Sequence, residues 1–321
     1  MRDEGEASVS LLSYFGRCIA AGHVIPVKHL SFTNLFAQHS AGLDQCFKFE
    51  SMQSVTFLNC VGDNDPMTVF LDNTWKVQMP GAIPTQLKMA RGDQLERPQA
   101  AFLSRFHGLE ELYIVSATRH RQSSRSASAT PYRISAAASP ITRSPNAKEV
   151  SQQSVTVAAD YLAAITSHHG HSMRRLLLSD QWFLGRDVLN RLVAACPNLE
   201  QLGVALEEKG PEQLRLLFPL VPKLFALRIL FNPDEMRMDE LAALNSSTQE
   251  KVLGHELWKP EYKNLQYVGF GDLVFECGKI GHNGTEAKEK GIKPVLTRQI
   301  KRVSKDKVKN IEIWRMDSLD V

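Results

Sequence analysis

The stretch SHHGHS, residues 167–172, sets His168, His169 and His171 almost side by side. Imidazoles at this spacing could hold a transition metal or move a proton near neutral pH. A metal needs about four donors in tetrahedral reach, and no neighbouring cysteine or acidic pair completes the set. The run therefore reads as the polar end of a helix with Gly170 as its C-cap. A second candidate is ECGKIGHNG, residues 276–284, with Cys277 and His282. Two donors without a second pair make no zinc knuckle, and Gly271, Gly278, Gly281 and Gly284 predict a flexible turn there. GFGDL, residues 269–273, lacks the helix-opening third glycine of a dinucleotide fingerprint. No G-x-S-x-G, P-loop, H-E-x-x-H or kinase phrase occurs. The sequence thus assigns no catalytic residue, no metal and no cofactor. An enzyme whose site is gathered from distant residues is the least supported alternative.

The elements around these candidates are more informative. ACPNLEQLGV, residues 195–204, carries the phrase apolar-x-x-apolar-x-apolar at Leu199, Leu202 and Val204. The same phrase recurs at Val27-Leu30-Phe32, Met52-Val55-Phe57, Leu109-Leu112-Ile114, Met173-Leu176-Leu178, Leu224-Leu227-Ile229, Leu265-Val268-Phe270 and Val308-Ile311-Ile313. The starts are separated by 25, 57, 64, 26, 25, 41 and 43 residues. Three intervals fall in the roughly 20–29-residue period of leucine-rich repeats, and the longer ones must hold insertions or a degenerate rung. Residues 58–108 are one such place, with PTQLKMARGDQLE and NTWKVQM as possible pieces.

Helical stripes separate the phrases. Val188, Leu189, Leu192, Val193 and Cys196 share one face of a helix that Pro197 ends. Val9, Leu12, Phe15 and Ile19 predict another over residues 8–21. Pro211 opens a third, and a helix or helix pair is expected between Asp234 and Trp258. A unit of one strand and one helix cannot bury its own apolar face, but stacked units share a continuous core. The expected fold is α/β: a single leucine-rich-repeat solenoid over residues 1–321, with irregular repeats, a parallel sheet on the concave face and helices outside.

Residues 171–206, HSMRRLLLSDQWFLGRDVLNRLVAACPNLEQLGVAL, resemble the repeat region of fungal F-box-like proteins, in which a helix ending like ACPNLEQL feeds each strand, and the resemblance covers most of the chain, from about Val27 to Val321. The resemblance implies a substrate-receptor role in a cullin–RING ubiquitin ligase. It also implies docking on a Skp-type adaptor through an F-box. The helix over residues 8–21 is too short for that module, so the adaptor is expected as a partner only if an F-box lies upstream of Met1. Without it, the expectation is a free-standing repeat scaffold with no ubiquitin link.

Residues 118–150 interrupt the ladder. Residues 118–147 hold five arginines and no acidic residue. A Ser/Arg/Pro-rich segment of this kind buries too little apolar surface to offset its ordering and is expected to be disordered. Thr130, Ser139 and Ser144 each precede proline and are candidate phosphorylation sites.

Composition sets outer bounds. The chain has 321 residues, 43% hydrophobic and 23% charged, enough for a sizeable core. A net charge of +3 is too mild to suggest a nucleic-acid partner. Five scattered cysteines without a C-x-x-C point to reduced thiols and an intracellular protein, in cytoplasm or nucleus. No apolar run approaches the roughly 18 residues of a membrane helix. The acidic start MRDEGE does not read as a signal peptide.

A protein partner is expected on the concave sheet face, where side chains between the phrase apolars point. That rule selects Glu111, Tyr113, Arg175, Gln201, Arg228, Tyr267, Glu312 and Trp314 as the contact set. It also places His29, Ser31, Thr33, Ser54, Thr56 and Leu177 on this face. Arg, Tyr and Trp are the types enriched at interface hot spots.

Overall fold

In six of the phrases the first apolar residue sits at a joint just before a strand and is fully buried. Met52, Leu109, Met173, Leu199, Leu224 and Leu265 are all 0% exposed. The computed structural model describes residues 11–33, 47–58, 60, 85–93, 97–115, 132–134, 156–207, 214–215, 217–230, 244–282 and 296–318. Its strands are β1 His29–Thr33, β2 Ser54–Leu58, β3 Met89–Gly92, β4 Glu111–Ile114, β5 Tyr132–Ile134, β6 Arg175–Leu177, β7 Trp182–Leu184, β8 Gln201–Leu206, β9 Ala226–Leu230, β10 Tyr267–Phe270, β11 Leu273–His282 and β12 Leu296–Val303. The helices are α1 Leu11–Ala20, α2 Arg97–Leu103, α3 over residues 156–164, α4 Arg186–Ala195, α5 Ser246–Leu257 and α6 Glu312–Arg315. A π-turn, Ile165–His169, continues α3.

These strands form one open, mostly parallel sheet in the order β1-β2-β3-β4-β6-β8-β9-β10-β11-β12. Strand β8 is long enough to pair β6 through its first half and β7 through its second. The chain repeats at the level of single hydrogen bonds. The Lys28 carbonyl accepts from the N–H groups of both Gln53 and Ser54. The Gln53, Lys88, Glu110, Arg174, Glu200 and Phe225 carbonyls each make the same fork to the next rung. Asparagine ties two of the joints: Asn198 Nδ2 donates to the His171 carbonyl at 2.7 Å and Asn264 Nδ2 to that of Pro222 at 2.6 Å. Both asparagines immediately precede a buried joint leucine, so the NL pair of the sequence is a rung-to-rung clamp.

Period-2 alternation divides the sheet into two faces. Leu112, Ile114, Leu176, Leu202, Val204, Leu227, Ile229 and Val268 join the helices in the main core. Helix α4 contributes Leu189, Leu192 and Val193, and ends where Pro197 can neither donate nor tolerate a helical predecessor. Helix α5 starts at Asn245, whose side chain accepts from the Thr248 N–H. Tyr113, Leu177, Ala205 and Leu230 point the other way, into a second apolar cluster completed by Val308, Ile311 and Ile313 from the C-terminus.

Several expectations resolve here. The interval at residues 58–108 contains β3, a rung with the usual buried joint residue, Leu87, but with Ala90 and Gly92 in place of the usual large apolars. Within the 118–150 segment, Tyr132–Ile134 is a strand paired with β7, and the rest, with its phosphorylation candidates, lies outside the described residues. The turn expected at residues 276–284 is instead the strand β11 as far as His282, paired antiparallel with β10 and β12. The tight reversal comes earlier, at Gly271, whose φ of 57° suits glycine. Gly170 is right-handed helical (φ −50°, ψ −51°), so it is no left-handed cap. Its role is spatial, because a Cβ there would stand 2.3 Å from the Ala195 carbonyl oxygen.

The phrase Val308-Ile311-Ile313 is not an eighth strand. A 3-10 turn over Lys305–Val308 leads into the short helix α6. The first two apolars are three residues apart, and that spacing also fits a helical turn. The antiparallel β11–β12 pair ends the parallel ladder, so no parallel neighbour remains for this segment.

Candidate functional site

The sheet register carries the site. In one transverse row it aligns His29, Ser54, Met89, Glu111, Arg175, Gln201, Ala226 and Tyr267. In the next it aligns Ser31, Thr56, Arg91, Tyr113, Leu177, Gly203, Arg228 and Gly269. Six of the eight predicted contact residues thus lie together on the face away from the helices. The other two, Glu312 and Trp314, are not on a strand. They belong to α6, within a C-terminal arm (residues 304–318) that lies across this same face.

A continuous polar network joins arm and sheet. Tyr113 donates its hydroxyl to Glu111 Oε2 at 2.7 Å. Arg175 Nη1 donates to Glu111 Oε1 at 2.5 Å, and its Nε stands 3.6 Å from Glu312 Oε2. Gln201 closes the chain from both ends of its amide. Its Nε2 donates to Glu312 Oε2 at 2.5 Å, and its Oε1 accepts from the Ile313 N–H at 3.1 Å. Arg228 Nη1 donates to the Ile313 carbonyl at 3.0 Å and pairs with Asp317 at 2.8 Å. The Trp314 ring lies beside this guanidinium, 6.0 Å from Cζ to centroid, and packs against Gly269. Tyr267 joins the apolar cluster beneath the arm.

The arm makes the face different from the open surface expected. Tyr113, Gln201 and Arg228 are 0%, 2% and 7% exposed, because arm side chains cover them. His29 and Ser31 on β1 remain exposed. Burial pushes the Tyr113 phenol up, and the Glu111 carboxylate adds to the effect. Burial alone would lower the Arg175 guanidinium, but Glu111 and Glu312 beside it hold it above its ordinary value.

Two partners in this site, Arg91 and Asp317, were not among the predicted residues. Arg91 Nε donates to the Met316 carbonyl at 3.0 Å and its Nη2 to that of Ser318 at 2.6 Å. It sits on the degenerate rung β3, and the signal that would have found it is the KMARG stretch among the pieces of a possible rung.

The residues first considered for chemistry have other work. His169 is buried: its Nδ1 accepts from the Leu109 N–H at 3.3 Å, and its Nε2 donates to the Leu103 carbonyl at 2.8 Å. His107 stacks on His168 at 4.9 Å between centroids. Burial pushes the thiols of Cys196 and Cys277 up to about 12, which leaves them protonated at neutral pH. Among the described residues no group of three or more His, Cys, Asp or Glu side chains could hold a metal ion, and no helix is long and apolar enough to cross a membrane. No family model matches the chain, and no curated protein is significantly similar to it.

Proposed function

We propose that the chain is a non-catalytic protein-recognition module of the leucine-rich-repeat type, acting inside the cell. One observation carries the reading: parallel strands in register present two rows of Arg, Gln, Glu and Tyr side chains on the face opposite the helices. Such a row offers donors and acceptors at about the 4.8 Å strand spacing to an extended or helical segment laid across it, as the chain's own arm already lies. The forked carbonyl ladder supports the repeat assignment. The resemblance of residues 171–206 adds the more specific role of substrate receptor in a cullin–RING ubiquitin ligase, with a Skp-type adaptor as its second partner.

Photocrosslinkers placed at His29 and Ser31, on the exposed part of the sheet face, test the module. They are expected to trap a discrete protein in cells that a crosslinker at Arg191, exposed on α4, does not trap. Equal labelling from both faces, or none from the sheet face, overturns the reading. Binding of the native protein to a purified Skp-type adaptor separates the ligase role from a free-standing scaffold.

A further inference from the structure

We infer that the arm-covered face is a peptide groove held by a ligand in cis. A partner presents a short segment of the arm's own chemistry, two carboxylates five residues apart flanking apolar and aromatic side chains. This rests on the recognition reading above and names the chemistry of its partner.

Three features argue for it. The groove reads main chain: Arg91 takes the Met316 and Ser318 carbonyls, Arg228 the Ile313 carbonyl, and Gln201 the Ile313 N–H. Bonds of this kind serve any peptide backbone. Specificity is left to the carboxylates of Glu312 and Asp317, and to Ile313 and Trp314 in the apolar cluster. Second, the arm adds no strand to the sheet. Among the described residues its main-chain hydrogen bonds to other main-chain groups run within the arm itself, as from Ile311 to Val308 and Trp314 to Ile311. It can leave without opening a rung. Third, its fit is incomplete. The indole N–H of Trp314 is buried without an acceptor, and Arg175 Nε is beyond hydrogen-bond reach of Glu312. A partner that satisfies either donor competes against a ligand that does not. It must also refill the apolar pockets on the sheet that the arm's own Val308, Ile311 and Ile313 occupy, all three buried.

The test uses a fluorescein-labelled peptide of residues 308–318 and the full chain. In the double variant Glu312→Gln, Asp317→Asn the arm is loosened while every groove side chain stays. The labelled peptide is expected to bind this variant at least tenfold more tightly than it binds the unaltered chain, whose own arm competes. Adding Arg228→Ala should remove the gain. Equal binding to variant and unaltered chain, with both cooperatively folded by thermal melt, overturns the proposal. Should the double variant fold poorly, hydrogen exchange on the unaltered chain decides. Amides 305–318 are expected to exchange through a local opening, well ahead of those in β8 and β9. Exchange only with global unfolding overturns it. A concentration-dependent dimer of the unaltered chain would name a second copy as occupant and overturn a separate partner. Sheet-face crosslinks that succeed while the peptide fails would remove this inference alone and leave the recognition module standing.

Discussion

The two faces of the sheet are built on opposite principles. The helix face is local and repetitive. Each rung adds an apolar joint residue and a forked carbonyl, and most add two inward apolar side chains, so its cohesion is spread over many similar contacts. The other face is non-local and unique. Its longest-range bonds link residues 85 to 227 positions apart, and these converge on one arm. A defect in the first must be absorbed by the fold as a whole. A defect in the second can be relieved by releasing the arm. On the proposal of a releasable arm, stability resides mainly on one side of the sheet and adjustable contact on the other.

The most direct way to break this contrast is in the middle of the ladder. Leu202 and Leu227 are both fully buried in adjacent rungs, register partners of each other. Leu202→Ala or Leu227→Ala is expected to cost roughly 2–5 kcal/mol in urea denaturation, because the neighbouring rungs cannot collapse into the space. A loss under about 0.5 kcal/mol at both, the size of a surface change, would mean that cohesion lies elsewhere than in the rungs.

The same contrast explains what could be read before the structure. A face made by repetition announces itself eight times in the sequence, and seven of the eight phrases, from Val27 to Leu265, do lead into strands. The rung at Leu87 escaped because Ala90 and Gly92 carry too little apolar signal, although the spacing left room for it. The face made by convergence has no such redundancy. The placement of six residues on this face was legible from alternation alone, since a strand fixes which side each residue takes. That the arm would cover them was not legible. Val308-Ile311-Ile313 satisfies the strand phrase and a helical turn equally well, and only the antiparallel close at β11 and β12 decides between them. Asp317 was missed for the same reason, since it has a function only once the arm is in place, whereas Arg91 was missed together with its weak rung β3.

Gly269 sharpens the comparison at intermediate cost. It stands in the row of Arg228, and a Cβ there would lie 2.8 Å from Cζ2 of Trp314 and 3.3 Å from Cγ of Arg228. Its φ is ordinary, so space alone is at issue. Gly269→Ala is expected to cost about 1–3 kcal/mol as an overpacked contact. The cost should fall in the double variant with Trp314→Leu, because the indole that is crowded is then gone. Additive losses in this double-mutant cycle would show that the indole does not press on the sheet. If the arm is the adjustable side, Gly269→Ala should speed exchange of the arm amides and leave β8 and β9 untouched.

His169 provides the smallest and most selective probe, because it belongs to the helix side alone. The ring bridges the end of α2 to the joint before β4, through Leu103 and Leu109. Burial holds its folded pKa down at about 4, and His168 and His107 nearby act in the same direction, against the Leu103 hydrogen bond. In the unfolded chain it titrates near 6.5. Between these values the unfolded state binds more protons, so stability falls as pH falls. Lowering the pH from 6.5 to 5.5 is expected to remove about 1 kcal/mol through this group. His169→Gln should flatten that part of the profile while lowering stability at neutral pH. An unchanged slope in the variant would mean that the imidazole is not held neutral in the folded state. Exchange of the arm amides, by contrast, should not follow this titration, since His169 packs with Phe106 in the helix-side core and not against residues 304–318.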